Sequence, residues 1–241
     1  MSHTEAGLPR ARGVGALPTG LAKRTAVREM FDSIAQHYEL LNRVVSMGLD
    51  RGWRRRCLER LGLPPGSRVL DVACGTGDLS RGLEKQGLHA VGIDLSPGML
   101  ARAHGTARLV LGDALDGPVR TASFDGAVSG FALRNVVDLA ALFAELARVV
   151  RPGGRISLLE LGEPSHPLLR TGHRLWSRHV VPRIGALLSD AQAYQYLPRS
   201  LAYLPPAEDI ALMLGAAGFA DIEHVPLSAG TSQLFVATRA A

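Results

Sequence analysis

A chain of 241 residues, 46% hydrophobic and 20% charged, is long and apolar enough to bury a sizeable core and does not have the composition of a disordered protein. No apolar run approaches the ~18 residues of a membrane-crossing helix, and Cys57 and Cys74 supply neither a disulfide framework nor a zinc spacing. The net charge of +5 is nearly all arginine; it suits nucleic acid, anionic lipid or an anionic substrate and selects none of them.

Residues 1–25, rich in glycine, proline and arginine and without a compact apolar stretch, read as a flexible tail rather than a secretory leader, with the cytoplasm as default compartment. Residues 26–241 read as one domain. Its first part, 26–62, is a helical cap: Met30, Phe31, Ile34, Tyr38, Leu41 and Val45 recur at intervals of three and four, with breaks expected at Gly48 and Gly52. "LPPG" (63–66) closes this cap.

An alternating series follows. "SRVLDVA" is a strand and "CGTGDLSRGLEKQG" a glycine turn opening a helix; "LHAVGIDLS" is a second strand and "PGMLARAH" its helix, with Pro97 in the first turn. "ARLVLGDA", "SFDGAVSGFAL" and "RISLLEL" are three more strands, with the helix "DLAALFAELARVV" between the last two. A helical insert (164–205) precedes the helix "AEDIALMLGAAGF" and a terminal strand pair, "ADIEHVPL" and "TSQLFVATR". The expected fold is α/β: a mostly parallel, seven-stranded Rossmann-like sheet with helices on both faces, binding its ligand outside the carboxyl ends of the strands.

The turn after the first strand carries Gly75 and Gly77, which let backbone approach a ligand at a helix N-terminus. Position 80, where a dinucleotide site would want a third glycine, is serine. Asp71, four residues before Gly75, is a poor neighbour for a pyrophosphate, which disfavours an NAD-linked reductase. Asp94 ends the second strand, where a carboxylate can accept two hydrogen bonds from a ribose diol. Asp113 follows the third strand, within reach of an adenine edge. Acids at three successive strand ends suit S-adenosylmethionine, which carries a positive ammonium and a positive sulfur. Taken singly, each could be a solvated strand end or a helix cap.

"VLDVACGTGDLS", "GIDLSPGML", "GDA", "SFDGAVSGFALRNV" and "RVVRPGGRISLLE" resemble, in order, the motifs of class I S-adenosylmethionine-dependent methyltransferases. "MFDSIAQHYELLNRVVSMGLDRGWRRR", "GFALRNV" and "YQYLPRSL" are similar to the UbiE/COQ5 family of quinone-biosynthesis C-methyltransferases. That resemblance runs from about Val27 to the C-terminus. It implies methylation of a ring carbon of demethylmenaquinol or of a polyprenyl methoxybenzoquinol; the arginine-heavy composition, a mark of a GC-rich genome, leans the expectation to demethylmenaquinol. It also implies cofactor contacts at Thr76, Asp94, Asp113 and Ala114, and Tyr38 helping to enclose the site. A family serine falls on Gly130, so its hydrogen bond is lost unless Ser129 substitutes. "LSAGTSQLFVATR" and "LGEPSHPLL" also depart from the family pattern, which leaves room for another phenolic or polyketide substrate.

Arg134 and Asn135 end the apolar run "SGFAL". The resemblance casts Arg134 as a general base acting through water. A guanidinium is always protonated, so our reading is that Arg134 stabilises a developing phenolate while Asn135 orients the ring oxygen. His37 and Asp32 are candidate proton acceptors. The plainer alternative pairs Arg134 with Asp138 and uses Asn135 as a helix cap. "RGWRRR" (51–56) could meet phosphate or be a solvated helix face with Trp53 tucked in.

In the insert, Leu169, Trp176, Val180, Ile184 and Leu187 form a stripe with Arg170, Arg174 and Arg178 between. The stripe suits an apolar prenyl channel at a membrane surface or a core-facing helix, and Pro182 interrupts it. A nucleic-acid methyltransferase is disfavoured: "GFALRNV" stands where an "(N/D)PPY" sequence would, and neither cysteine is placed as a nucleophile. A cofactor-binding module without activity and a homodimer both stay open.

Overall fold

The computed structural model describes residues 19–164, 166, 170–172, 175 and 200–241. The tail 1–18 and, in the insert, Leu169, Trp176, Val180, Ile184, Leu187, Arg174, Arg178 and Pro182 lie outside them.

Three helices come first, α1 (Gly20–Ile34), α2 (Tyr38–Val45) and α3 (Asp50–Leu61). Ile34 and Leu41 are buried together, with Met30, Phe31, Tyr38 and Val45 packed on them, so the expected stripe is a core. The break at Gly48 is real: Met47 and Gly48 both adopt positive φ, 53° and 79°. Gly52, by contrast, lies inside α3. A helical glycine costs only about 1 kcal/mol relative to alanine, and α3 buries Trp53, Cys57, Leu58 and Leu61 in return. Helix α1 also starts at Gly20, earlier than the expected boundary at 26, because Lys23 is drawn into the protein.

The three helices are followed by β1 (Arg68–Val72), α4 (Asp78–Lys85), β2 (His89–Asp94), the single turn α5 (Pro97–Leu100), β3 (Arg108–Leu111), β4 (Phe124–Gly130), α6 (Leu139–Val149), β5 (Val150–Leu161), α7 (Ala207–Ala216), β6 (Phe219–Leu227) and β7 (Ser232–Arg239), with short 3-10 turns at Leu133–Asn135, Leu201–Tyr203 and Ser228–Gly230. The seven strands form one sheet in the order β3-β2-β1-β4-β5-β7-β6. β7 pairs antiparallel with β5 and β6, and the other pairings are parallel.

Alternation along β1 shows how the two faces are covered. Leu70 and Val72 join Phe143, Leu146, Ile210 and Phe235 on the α6–α7 side. Val69 joins Trp53, Cys57, Leu79 and Leu83 on the α3–α4 side. Asp71, two residues on, is therefore a carboxylate buried on the α3–α4 face. Only a ligand or a dedicated partner makes such a position tolerable.

Candidate active site

β1 and β4 are neighbours, with β2 outside the one and β5 outside the other, so the crevice at their carboxyl ends is where the strand order reverses. Both strands leave the sheet through a non-glycine residue in the left-handed region, Ala73 (φ 53°) after β1 and Phe131 (φ 62°) after β4. Such backbone is strained and concentrates at functional sites. Gly75 (φ 55°) and Gly77 (φ 82°) complete the first turn, and Gly77 starts α4. A Cβ at Gly75 would come 3.0 Å from the Met99 methyl carbon.

The crevice holds a largely apolar cavity, open at its mouth. Gly75, Asp94, Asp113, Ala114, Gly130 and Asn135 line it, and α1 and Tyr38 roof it with Arg24, Val27, Arg28 and Phe31. Tyr38 packs edge-on against Phe31, ring centroids 5.9 Å apart. Of the expected cofactor residues, Asp71 and Thr76 line instead a small adjoining side chamber, which shares Tyr38, Ala73, Gly75 and Gly130 with the main cavity. Gly77 lines neither and serves as the left-handed start of α4.

The acids are not equivalent. Asp71 Oδ2 accepts the Ser80 amide (2.9 Å) and hydroxyl (2.6 Å), while Oδ1 is buried without a hydrogen-bond partner. Burial pushes its carboxyl up to about 7 against those hydrogen bonds. Asp94 receives the amides of Gly75 and Ser96, both at 2.8 Å, and burial again raises it above the usual carboxylate range. Asp113 accepts the Leu115 amide (3.0 Å) and pairs with Arg24 of the roof at 3.0 Å.

The arginine–asparagine pair divides. Asn135 lines the cavity, its amide donating to the Phe131 carbonyl at 3.2 Å. Arg134 does not. Its guanidinium turns inward to a buried ion pair with Glu160, and also donates to the Phe131 carbonyl (2.8 Å) and Ser200 Oγ (3.2 Å). Glu160 accepts the Arg134 amide as well. The pairing with Asp138 does not form; Asp138 caps α6 through the Ala141 amide.

Neither candidate proton acceptor reaches the cavity. Asp32 accepts from Ser96 Oγ (2.5 Å) and the Gly98 amide (2.8 Å), tying α1 to α5, and the His37 carbonyl starts α2. Ser129 cannot replace the missing serine at 130, because its hydroxyl is buried on the Val72 carbonyl at 2.8 Å. Sequence reasoning passed over Arg24, Arg28, Phe31, Met99 and Phe131. Arg28, three residues before Phe31 on the expected helix, carried a signal in its spacing; Met99 carried none.

The model of the ubiE/COQ5 methyltransferase family matches residues 19–239. The chain belongs to that family. Among its relatives, a demethylmenaquinone methyltransferase from Deinococcus radiodurans is 47% identical over 208 residues, 82% of this chain and 86% of that protein. A ubiquinone/menaquinone biosynthesis C-methyltransferase UbiE from Syntrophotalea carbinolica is 38% identical, covering 88% of this chain and 93% of the relative. The fold itself recurs at lower identity. Phosphoethanolamine N-methyltransferase 2 of Haemonchus contortus, solved with phosphomonomethylethanolamine and S-adenosylhomocysteine, superposes with a TM-score of 0.65 at 18% identity, covering 89% of this chain and 60% of that one.

Proposed function

We propose that this ubiE/COQ5 family member methylates a ring carbon of a prenylated hydroquinone, converting demethylmenaquinol to menaquinol, with S-adenosylmethionine as donor. The observation that carries the reading is that Asp94, Asp113 and Asn135 share one apolar cavity at the switch point of the sheet. Relatives named for demethylmenaquinone, at up to 47% identity, supply the substrate class.

The residues present fit the donor. Asp71 Oδ1, buried and unpartnered, is an acceptor waiting for a cationic donor group, and Gly75 beside it lets the backbone approach the donor closely. Asp94 and Asp113 would hold the ribose and adenine portions. When bound, S-adenosylmethionine supplies an electrophilic methyl group on a positively charged sulfur.

The protein's part is to bring an ionised hydroquinone up to that methyl. The Asn135 amide orients a ring oxygen. Arg28, which lines the cavity, favours the phenolate over the phenol electrostatically. Arg134 is a positioning residue: its charge is matched by Glu160, and the pair holds the Leu133–Asn135 turn that presents Asn135. The apolar roof of Val27 and Phe31 excludes water from the nucleophile.

A prenylated substrate resides in lipid, and no described helix is long and apolar enough to cross a membrane. The surface suited to resting on one is the α2–α3 elbow, where Leu40, Met47 and Leu49 are exposed beside Arg43 and Arg51.

Mass-spectrometric turnover tests the reading. Protein and S-adenosylmethionine are offered chemically reduced demethylmenaquinol and, separately, a prenylated methoxybenzoquinol. A product one methylene heavier from the first is expected. Product from the second alone moves the enzyme to the other quinone, and product from neither, with cofactor binding intact, refutes the substrate.

A further inference from the structure

The basic stretch Arg51–Arg56 contains one arginine that faces the site. Arg54, on α3, has its side chain only 12% exposed and lies over the Phe131 ring, 5.2 Å from the centroid. It lines the side chamber together with Asp71, Thr76 and Tyr38. Its Nη1 holds Asp50 at 2.6 Å, whereas its Nη2 reaches Asp78 at a loose 3.4 Å. Asp78 is bound more closely by Arg81, so it does not depend on Arg54 for neutralisation.

The chamber thus presents two unmet capacities. Asp71 Oδ1 is buried with no donor, and Arg54 offers a guanidinium edge whose second carboxylate is easily exchanged. A carboxylate able to take a cation and a guanidinium able to take an anion, in one small compartment, are the complement of an α-amino-acid zwitterion.

Resting on the methyl-donor reading above, we propose that Arg54 binds the α-carboxylate of the cofactor's amino-acid end while Asp71 receives its ammonium. On binding, Arg54 exchanges Asp78 for the ligand carboxylate and Arg81 retains Asp78, so no carboxylate is left without a cation. The methionyl end is held in the side chamber and the nucleoside in the main cavity. A ligand that lacks only the carboxylate loses the Arg54 contact and no other.

Titration calorimetry with three ligands tests this without turnover: S-adenosylmethionine, its decarboxylated form, and 5′-methylthioadenosine, which lacks the amino-acid end. Arg54→Met is expected to weaken S-adenosylmethionine roughly 10- to 100-fold, the range of one charge-assisted contact. It should leave the other two ligands within about twofold of wild type. An equal loss for all three ligands, or no loss for S-adenosylmethionine, overturns the assignment.

If the methionine variant does not fold, as circular dichroism reads it, Arg54→Lys decides by the same comparison. A loss confined to the carboxylate-bearing ligand supports the proposal; a uniform loss or none overturns it. Wild-type protein that binds none of the three would instead refute the donor reading itself.

Discussion

Arg134 and Glu160 form an ion pair sealed from water, with Arg134 5% exposed and Glu160 0%. Glu160 sits near the end of β5 and also accepts the amides of Arg134 and Leu161. One carboxylate therefore fastens the turn after β4 to the neighbouring strand. Removing one partner of a buried pair leaves the other charge uncompensated, which typically costs about 3–5 kcal/mol. Glu160→Ala should lower stability by about that much in urea unfolding. The double variant Arg134→Met/Glu160→Met should recover the part of the loss due to the uncompensated charge, while the Arg134 and Leu161 amides stay without Glu160; a double variant no more stable than the single one would show that the charge pair is not the tie.

Asn135 is the side chain that this tie delivers to the cavity. Asn135→Ala should depress turnover roughly 10- to 1,000-fold, as loss of an aimed donor does, while S-adenosylhomocysteine binds as before in calorimetry. Glu160→Gln, which keeps the shape and the acceptor oxygen, should lower kcat with little change in KM. A larger effect on KM than on kcat would assign the turn to ground-state binding instead.

Asp71 gives the site a pH dependence whose sign follows from its environment. Burial raises its carboxyl to about 7, so in the fold it keeps a proton that the unfolded chain releases near pH ~4. Ionisation consequently destabilises the ligand-free fold as pH rises from about 4 to about 7. Asp71→Asn should remove this loss, so that the variant gains stability relative to wild type over that interval.

Cofactor affinity runs the other way. A cationic ligand favours the ionised carboxylate, so binding should weaken as pH falls below about 7, by up to roughly tenfold per unit. Asp71→Asn should bind weakly and lose most of that slope. Calorimetry from pH 5.5 to 8.5 reads both; an equal slope in the variant would exclude Asp71 as its source.

Lys23 pins the roof. Its Nζ donates to the Val136 carbonyl at 2.6 Å and lies 4.0 Å from the centre of the Tyr203 ring. Lys23→Met keeps most of the buried stem and removes the tie, leaving Arg24–Asp113 and the Asp32 contacts to hold α1. Amides across 20–34 should exchange faster with deuterium, and the cofactor should dissociate faster. Unchanged exchange in α1 would show that the remaining ties suffice.

The α/β alternation was legible because it is written locally. The apolar runs of β1, β2 and β4, the turn at Gly75 and Gly77 and Pro97 in the first turn of α5 each need only a few neighbouring residues. The strand-end acids were legible for the same reason, since a carboxylate closing a buried strand is conspicuous in any single sequence. The position of Gly52 inside α3 was not, because its helical state is decided by what Trp53 and Leu61 bury against, far along the chain.

The role of Arg134 shows where local reading ends. Local sequence was enough to show that an arginine and an asparagine close the fourth strand beside a glycine turn. Which of the two faces the cavity depended on Glu160, 26 residues away, whose carboxylate draws the guanidinium into the protein. The separation of Asp71 from Asp94 into two chambers is likewise tertiary, imposed by α3 laying Arg54 and Trp53 across one face of the sheet. Residue types and their spacing set the chemistry on offer; long-range pairing of buried charges, whose desolvation must be balanced by a specific partner, decided which groups stand in the site.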